Sequence, residues 1–249
     1  DVSSDDAVES FKVRMSAKTA TCLEIVDLIS EHLPEIIGND DFDESVSWPA
    51  VTSGARAEKV PVLQRIDALQ WVPCPEIFRQ DGFTICGWGA QRSNRLVPVP
   101  KDWSKPRLVF AEPSPSMNLQ QMLRLFLESR VERYTNRISF RDQEAQRKSL
   151  ARAHRASIDL SDASDHLTSA VIWRFLRKYP KLRSALFWAR SQRTQIGGDT
   201  VLLRCFGTMG NATTFPVMSI FLACLAREAE RSVRAYTGYH SVPSTVFGD

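Results

Sequence analysis

No two of the five cysteines, Cys22, Cys74, Cys86, Cys205 and Cys224, stand at CxxC spacing, and their odd number and wide scatter argue against a disulfide framework and for a reducing compartment. Histidine is scarce as well: His32, His154, His166 and His240 are the only four and none neighbours a cysteine, which speaks against structural zinc. Long apolar runs are missing. The most apolar stretch, Phe215 to Ala226, has twelve residues and includes Ser219, whereas a membrane-spanning helix needs roughly 20, so no membrane partner is expected. Low-complexity tracts and repeats are absent too, which excludes solenoids and wholesale disorder. Asp1 is not preceded by a methionine or followed by an apolar signal core, and the expectation is a piece of a longer chain.

What remains is a globular composition, 249 residues with 43% hydrophobic and 24% charged side chains, enough for one large or two modest domains. The net charge of +3 hides an asymmetry. Residues 1 to 50 carry 3 basic and 12 acidic side chains, a net of −9, while residues 101 to 195 carry 19 basic and 9 acidic, a net of +10. The basic segment nevertheless contains the acidic cluster Asp159, Asp162 and Asp165, a combination suited to a polyanionic ligand handled around a cation site.

Periodicity predicts an amphipathic helix from Asp6 to Leu33, ended by Pro34, with a solvated acidic face. Residues 38 to 116 hold most of the prolines and glycines and read as loops with weak strands at Val60 to Leu63, Phe83 to Gly87 and Leu96 to Val99. A strand at Arg107 to Ala111 leads, past Pro113 and Pro115, into a helix over Met117 to Arg133. Beyond it the pattern reads strand 156–160, helix 165–179, helix 182–191, a Gly197-Gly198 turn, strand 201–206, helix 214–236 and strand 241–247. That is an α+β order with acidic residues at two strand ends.

Asp159 sits in a β-type run beside Ile158 and Leu160, where a charge is costly unless paired or bound to a metal. Asp162, Ser164 and Asp165 fit the plainer role of capping the helix that follows. Asp249 ends a Val-Phe-Gly-Asp run, which is a turn by default. Two aspartates 90 residues apart, each at a strand end, are also a way to hold Mg²⁺ while leaving positions for phosphates. Gly207 to Phe215 is a small polar loop entering an apolar helix, with Thr213 or Asn211 as its cap. Lys105 and Arg107 are either exposed cations or a pair on a triphosphate; Arg141, Arg147, Lys148, Arg152 and Arg155 are either a solvated face or a phosphate-binding one.

Ser157-Ile-Asp-Leu-Ser-Asp-Ala-Ser-Asp165 resembles the first metal-binding motif of the RNA-dependent RNA polymerases of single-stranded RNA bacteriophages, the levivirus replicases. Met209-Gly-Asn-Ala-Thr-Thr-Phe215 is similar to their second motif, and Thr245-Val-Phe-Gly-Asp249 to their third, usually Tyr-Gly-Asp-Asp, with Phe247 in place of the tyrosine. Arg107 to Gln121, with Glu112-Pro113 and Met117, resembles the fingers segment that meets the incoming nucleotide, and Asp142-Gln143 with Leu150-Ala151 echoes a further family stretch. The likeness runs in order from about 105 to 249.

The resemblance implies a right-hand polymerase with helix-rich fingers in residues 1–155 and an incomplete palm on a small antiparallel sheet in 156–249. The second aspartate of Gly-Asp-Asp and the thumb are missing, so the expectation is a fragment inactive by itself. It also implies RNA-templated RNA synthesis for replication of a positive-strand phage genome in the cytoplasm of a bacterial host, from NTPs, with two Mg²⁺ or Mn²⁺ ions. Asp159 and Asp249 would be the catalytic metal ligands, helped by the Leu160 carbonyl. Lys105, Arg107, Ser164, Asp165, Gly210, Asn211 and Thr214 would meet the nucleotide, with Asn211 and Ser164 or Asp165 at the ribose, and Arg141, Arg147, Lys148, Arg152 and Arg155 the RNA. Related replicases recruit host translation factors; no motif here marks such a contact. The competing readings are a noncatalytic RNA-binding protein using residues 101–195, and another palm polymerase such as a reverse transcriptase.

Overall fold

A computed structural model describes residues 22–43, 56–57, 59, 93–100, 106–140, 144, 148, 151, 157–238 and 243–246. Residues 6–21 of the expected first helix, the expected strands at 60–63 and 83–87, and the candidate site residues Lys105, Arg141, Arg147, Arg152, Arg155 and Asp249 lie outside them.

The elements in chain order are α1 (Cys22–Ser30), α2 (Leu33–Ile37), β1 (Ser93–Pro100), β2 (Pro106–Ala111), α3 (Ser114–Tyr134), α4 (Ala163–His166), α5 (Ser169–Phe175), α6 (Pro180–Ala189), β3 (Arg193–Ile196), β4 (Asp199–Leu202) and α7 (Thr214–Thr237). The expected α+β class holds. Pro34 does not stop a helix but opens α2, since a proline in the first turn gives up an N–H that has no partner there. Pro115 and Pro180 sit likewise in the first turns of α3 and α6. At its far end α7 closes on Gly238 in the left-handed region, φ 73°, whose N–H reaches the Arg234 carbonyl.

The sheet differs from expectation in two ways. Its order is β2-β1-β3-β4, and β1 runs parallel to β3, so it is mixed rather than antiparallel. It also joins strands from both sides of the expected boundary at 155. Pairing of β1 with β3 covers only Ser93 to Arg95, ahead of Pro98 and Pro100, which lack the N–H that a longer ladder would need. Gly197 and Gly198, both at positive φ, close the β3–β4 hairpin as expected.

The expected strand over 156–160 is not formed: residues 157–160 are exposed and outside any ladder. Among the described residues nothing pairs with it: β4 pairs only with β3, and Val246 forms a parallel bridge with Ile138. The expected helix over 165–179 is divided into α4 and α5, and Thr168, not Ser164 or Asp165, caps the longer piece by accepting from the Val171 N–H at 3.3 Å.

One apolar core holds the helices together. Val26, Ile29 and Leu33 of the first helices meet Leu119, Leu123 and Leu127 of α3, Ile172 and Phe175 of α5, Leu182 and Leu186 of α6, and Val217 and Phe221 of α7. The acidic face of α1 is not merely solvated. Asp27 accepts from Arg174 at 2.6 and 2.7 Å and pairs with Arg177, and Glu31 accepts from Arg177 at 2.9 Å and Lys178 at 2.6 Å. The Arg174 hydrogen bond is the main reason that Asp27 titrates below the usual carboxylate range. Among the described residues no helix is long and apolar enough to cross a membrane.

Candidate active site

The loop after β4 is built from backbone bonds on both flanks. Ser169 N–H donates to the Arg204 carbonyl at 2.9 Å and Phe206 N–H to the Leu167 carbonyl at 2.7 Å, tying the chain ahead of the loop to the start of α5. Arg190, buried behind it, donates to the carbonyls of Leu203, Cys205 and Phe206 at 3.3, 2.8 and 2.9 Å. Burial lowers the Arg190 pKa, and directing its donors at carbonyls supplies hydrogen bonds lost with water.

Within the loop Gly210 is required twice over. Its φ is +114°, and a Cβ there would lie 2.3 Å from the Phe110 carbonyl oxygen of β2. The same strand residue donates its N–H to the Met209 carbonyl at 2.7 Å, so the loop is laid directly on β2. Arg107, exposed on β2, is three residues along the strand, roughly 10 Å from that bond at about 3.3 Å per residue. Asn211 Oδ1 accepts from the Thr213 N–H and hydroxyl, both at 2.8 Å, closing a turn just ahead of α7, whose N-cap position is Thr213 and which has no side-chain cap bond. Thr214 donates its hydroxyl to the Thr208 carbonyl at 3.1 Å. Behind the loop, Gln120 of α3 is fully buried, accepts from the Ala212 N–H at 3.2 Å and donates to the Ala189 carbonyl at 3.0 Å.

Glu112 is buried at the end of β2, where it accepts from Asn94 at 3.1 Å and Ser191 at 2.5 Å. Burial raises its pKa against the pull of these bonds and of the Arg190 charge. It holds β1 and the α6–β3 junction to the strand that carries Arg107.

The Asp159 segment precedes α4 as exposed, irregular chain. Asp159 and Leu160 are exposed, Ile158 is 84% exposed, and the chain then turns at Asp162, held at φ 53° in the left-handed region that aspartate tolerates. Ser164 and Asp165 lie on the single turn α4. The Cys205 thiol pKa is raised, first by burial and next by the charge of Asp165, which brings α4 and the entrance of the loop into one neighbourhood. Leu160 also lines, with Leu167, Val26, Ile29, Met218 and Phe221, an apolar pocket of about 430 Å³ between this turn, α1 and α7.

Toward the third motif, Glu230 of α7 accepts from the Ser244 N–H at 2.6 Å, the Ser244 hydroxyl at 2.5 Å and Arg137 at 2.8 Å, while Val246 N–H donates to the Arg137 carbonyl at 2.7 Å. Its pKa is lowered: burial opposes the shift, and the bonds from Ser244 and Arg137 outweigh burial. Among the expected RNA contacts only Lys148 is described, exposed and 3.8 Å from Glu144.

Of the expected site residues, Arg107, Gly210, Asn211 and Thr214 are thus joined through one loop and strand, and Asp165 lies near Cys205, ahead of that loop. Among the described residues no three His, Cys, Asp or Glu side chains converge as a metal site. Asp159 fits a hard divalent cation in its chemistry, an exposed carboxylate in a non-helical stretch whose carbonyls are not tied into a ladder. Gln120, Arg190 and Glu230 were not foreseen, and Glu112 was noted only within the fingers-like segment, without a role. Each is a single polar residue in or beside an ordinary helix or strand, and only burial or its partners distinguish it.

The family model described as RNA replicase, beta-chain, matches residues 78–249. The chain belongs to the RNA replicase beta-chain family. Its similar relatives include the RNA-directed RNA polymerase beta chain of Enterobacteria phage fr, 29% identical over 180 residues, covering 70% of this chain and 31% of that one. The beta chain of Escherichia phage MS2 is 31% identical over 140 residues, 55% of this chain and 25% of the relative, and that of Enterobacteria phage GA 32% over 136 residues, 54% and 25%. This replicase beta-chain sequence therefore spans less than a third of the length of the relatives it matches.

Proposed function

We propose that this replicase beta-chain sequence forms the nucleotide-binding and catalytic part of an RNA-directed RNA polymerase. It would copy an RNA template from NTPs in the cytoplasm of a bacterial host, in replication of a positive-strand phage genome. The observation that carries this reading is the docking of the Met209-Gly210-Asn211 loop on the strand of Arg107, with a glycine where the backbones meet. A triphosphate along β2 would put its charge by Arg107 and its ribose by Asn211, with Lys105 adding a second cation. Residues 1–155 would supply fingers and 156–249 palm, the mixed sheet linking the two.

In this reaction the RNA 3′-hydroxyl attacks the α-phosphate and pyrophosphate leaves. Two Mg²⁺ ions, held by Asp159, Asp249 and the Leu160 carbonyl, would supply charge neutralisation when bound. The chain's own part is positional: Arg107 orients the triphosphate, and Gly210, Asn211, Thr214, Ser164 and Asp165 bound the sugar. Arg141, Arg147, Lys148, Arg152 and Arg155 would follow the RNA backbone, which makes RNA binding weaken with salt.

Titration with Mg²⁺-ATP tests the reading. Binding that Arg107→Ala weakens, with RNA affinity dependent on salt, is the expected result. RNA affinity without any nucleotide binding would leave the noncatalytic RNA-binding protein instead.

A further inference from the structure

The loop that carries Asn211 is held by bonds within it and by bonds from β2 and α3, and the deepest of these comes from α3. Phe110 N–H takes the Met209 carbonyl, Asn211 Oδ1 takes Thr213, and Gln120 takes the Ala212 N–H next to Asn211 in the chain. Gln120 is 0% exposed, so no water substitutes for it. Its amide is also oriented from behind: Nε2 donates to the Ala189 carbonyl at the end of α6, which turns Oε1 toward Ala212. Asn211 is oriented in the same manner. With Oδ1 occupied by two donors from Thr213, its Nδ2 is the group left for a sugar oxygen.

We infer that Gln120 is a positioning residue for ribose discrimination. It fixes the height of the 211–212 peptide so that Asn211 Nδ2 meets the 2′-oxygen of an incoming ribonucleotide, and it thereby sets the preference for NTP over dNTP. The inference rests on the polymerase reading. It extends that reading from the residues lining the nucleotide to a buried side chain on α3 that touches neither substrate nor metal. The physical basis is that a hydrogen bond discriminates only when its donor is held to within a fraction of an ångström; the bonds among Thr208, Asn211, Thr213 and Thr214 fix the loop's own shape, and the bonds from β2 and α3 fix where it sits.

The test compares Mg²⁺-ATP and Mg²⁺-dATP affinities of the wild-type chain, Gln120→Met and Gln120→Glu by calorimetric titration. Methionine keeps the volume and removes the bonds to Ala212, Ala189 and the Glu112 carboxylate; glutamate, kept protonated by burial beside Glu112, retains an acceptor for Ala212 and an O–H donor toward Ala189 or Glu112. The wild type is expected to prefer ATP. Gln120→Met should lose about threefold to tenfold of that preference, the equivalent of one hydrogen bond, with dATP affinity unchanged. Gln120→Glu should retain most of it. An unchanged ratio in Gln120→Met overturns the inference, as does equal loss in both variants, which would mean packing alone. A wild type that binds neither nucleotide removes the polymerase reading and this inference with it. Should Gln120→Met fail to fold, amide exchange at Ala212 in the wild type decides. Stronger protection with ATP than with dATP supports the role, and equal protection refutes it.

Discussion

Replacing Gly210 by alanine separates two costs that are usually confounded. The first is conformational: an L-residue held at φ +114° costs on the order of 1 to 3 kcal/mol. The second is steric. The new Cβ would lie 2.3 Å from the Phe110 carbonyl oxygen, and because that atom is backbone in a paired strand, the loop must lift. Lifting breaks the Phe110–Met209 hydrogen bond, a loss of about 1 kcal/mol. The sum is roughly 2 to 4 kcal/mol, which for a chain of this size lowers Tm by about 4 to 16 °C. Gly198→Ala is the control, since it has φ +102° but nothing within 4 Å of the added Cβ, so it carries the first cost alone. Denaturant unfolding and thermal melts of the wild type and both variants give the difference directly. Equal destabilisation by the two substitutions would refute the claim that the loop is pressed onto β2. If Gly210→Ala is the worse by about 1 kcal/mol or more and also weakens Mg²⁺-ATP binding, the loop and the nucleotide site are one structure.

Glu230→Ala removes the acceptor shared by Ser244 and Arg137, so amide exchange at Ser244 and Val246 should accelerate about tenfold or more while α3 keeps its protection; no change would mean the 243–246 segment is held by other means. Glu112 has a folded pKa above its ordinary 4.5, so the folded state binds the extra proton and stability falls as pH rises from about 4.5 through the raised value. Glu112→Gln should flatten that part of the stability profile, and a variant profile parallel to the wild type would contradict it. For Asp27 the sign is opposite. Its contribution is present above its ordinary 3.8 and disappears as acidification passes its lowered folded value, a loss that Asp27→Asn should abolish in acid titrations of stability. Finally, Asp159→Asn introduced into a completed, active enzyme should eliminate nucleotide incorporation and leave RNA binding intact; retained turnover would exclude Asp159 as a metal ligand.

The parts of the fold that could be read in advance are those whose signal is local. Helices α3, α6 and α7 have punctuated ends, Pro115, Pro180 and Gly238, and the structure differs from the reading there by a few residues. The Gly197-Gly198 turn was equally legible because two positive-φ positions in succession leave few alternatives, but β3 before it was missed and the strand after it lies at Asp199–Leu202 instead of 201–206. What failed was partner choice. The β-type residues around Asp159 satisfy a strand pattern, yet a strand exists only with a neighbour, and nothing local says that β4 will pair with β3 instead. The division at Thr168 was missed for a related reason: Asp162, Ser164 and Thr168 are all competent caps, and the bridge between Thr168 and Cys205 selects among them. Nucleotide-site candidates on the second motif were legible as a resemblance, and so was Glu112 as part of the fingers-like segment, whereas Gln120, which supports the loop from α3, carries no sequence signature.

The contact between α1 and α5 alters how the basic segment should be counted. Arg174, Arg177 and Lys178 belong to the stretch with net charge +10, but all three face carboxylates of the N-terminal region. A nucleic acid strand reaching them would have to displace Asp27 and Glu31 first, so these two carboxylates would act as a tethered competitor for phosphate. The number of counterions released on RNA binding should therefore be smaller than the sequence charge suggests, and truncating the acidic helix should steepen the salt dependence rather than merely destabilise the fold.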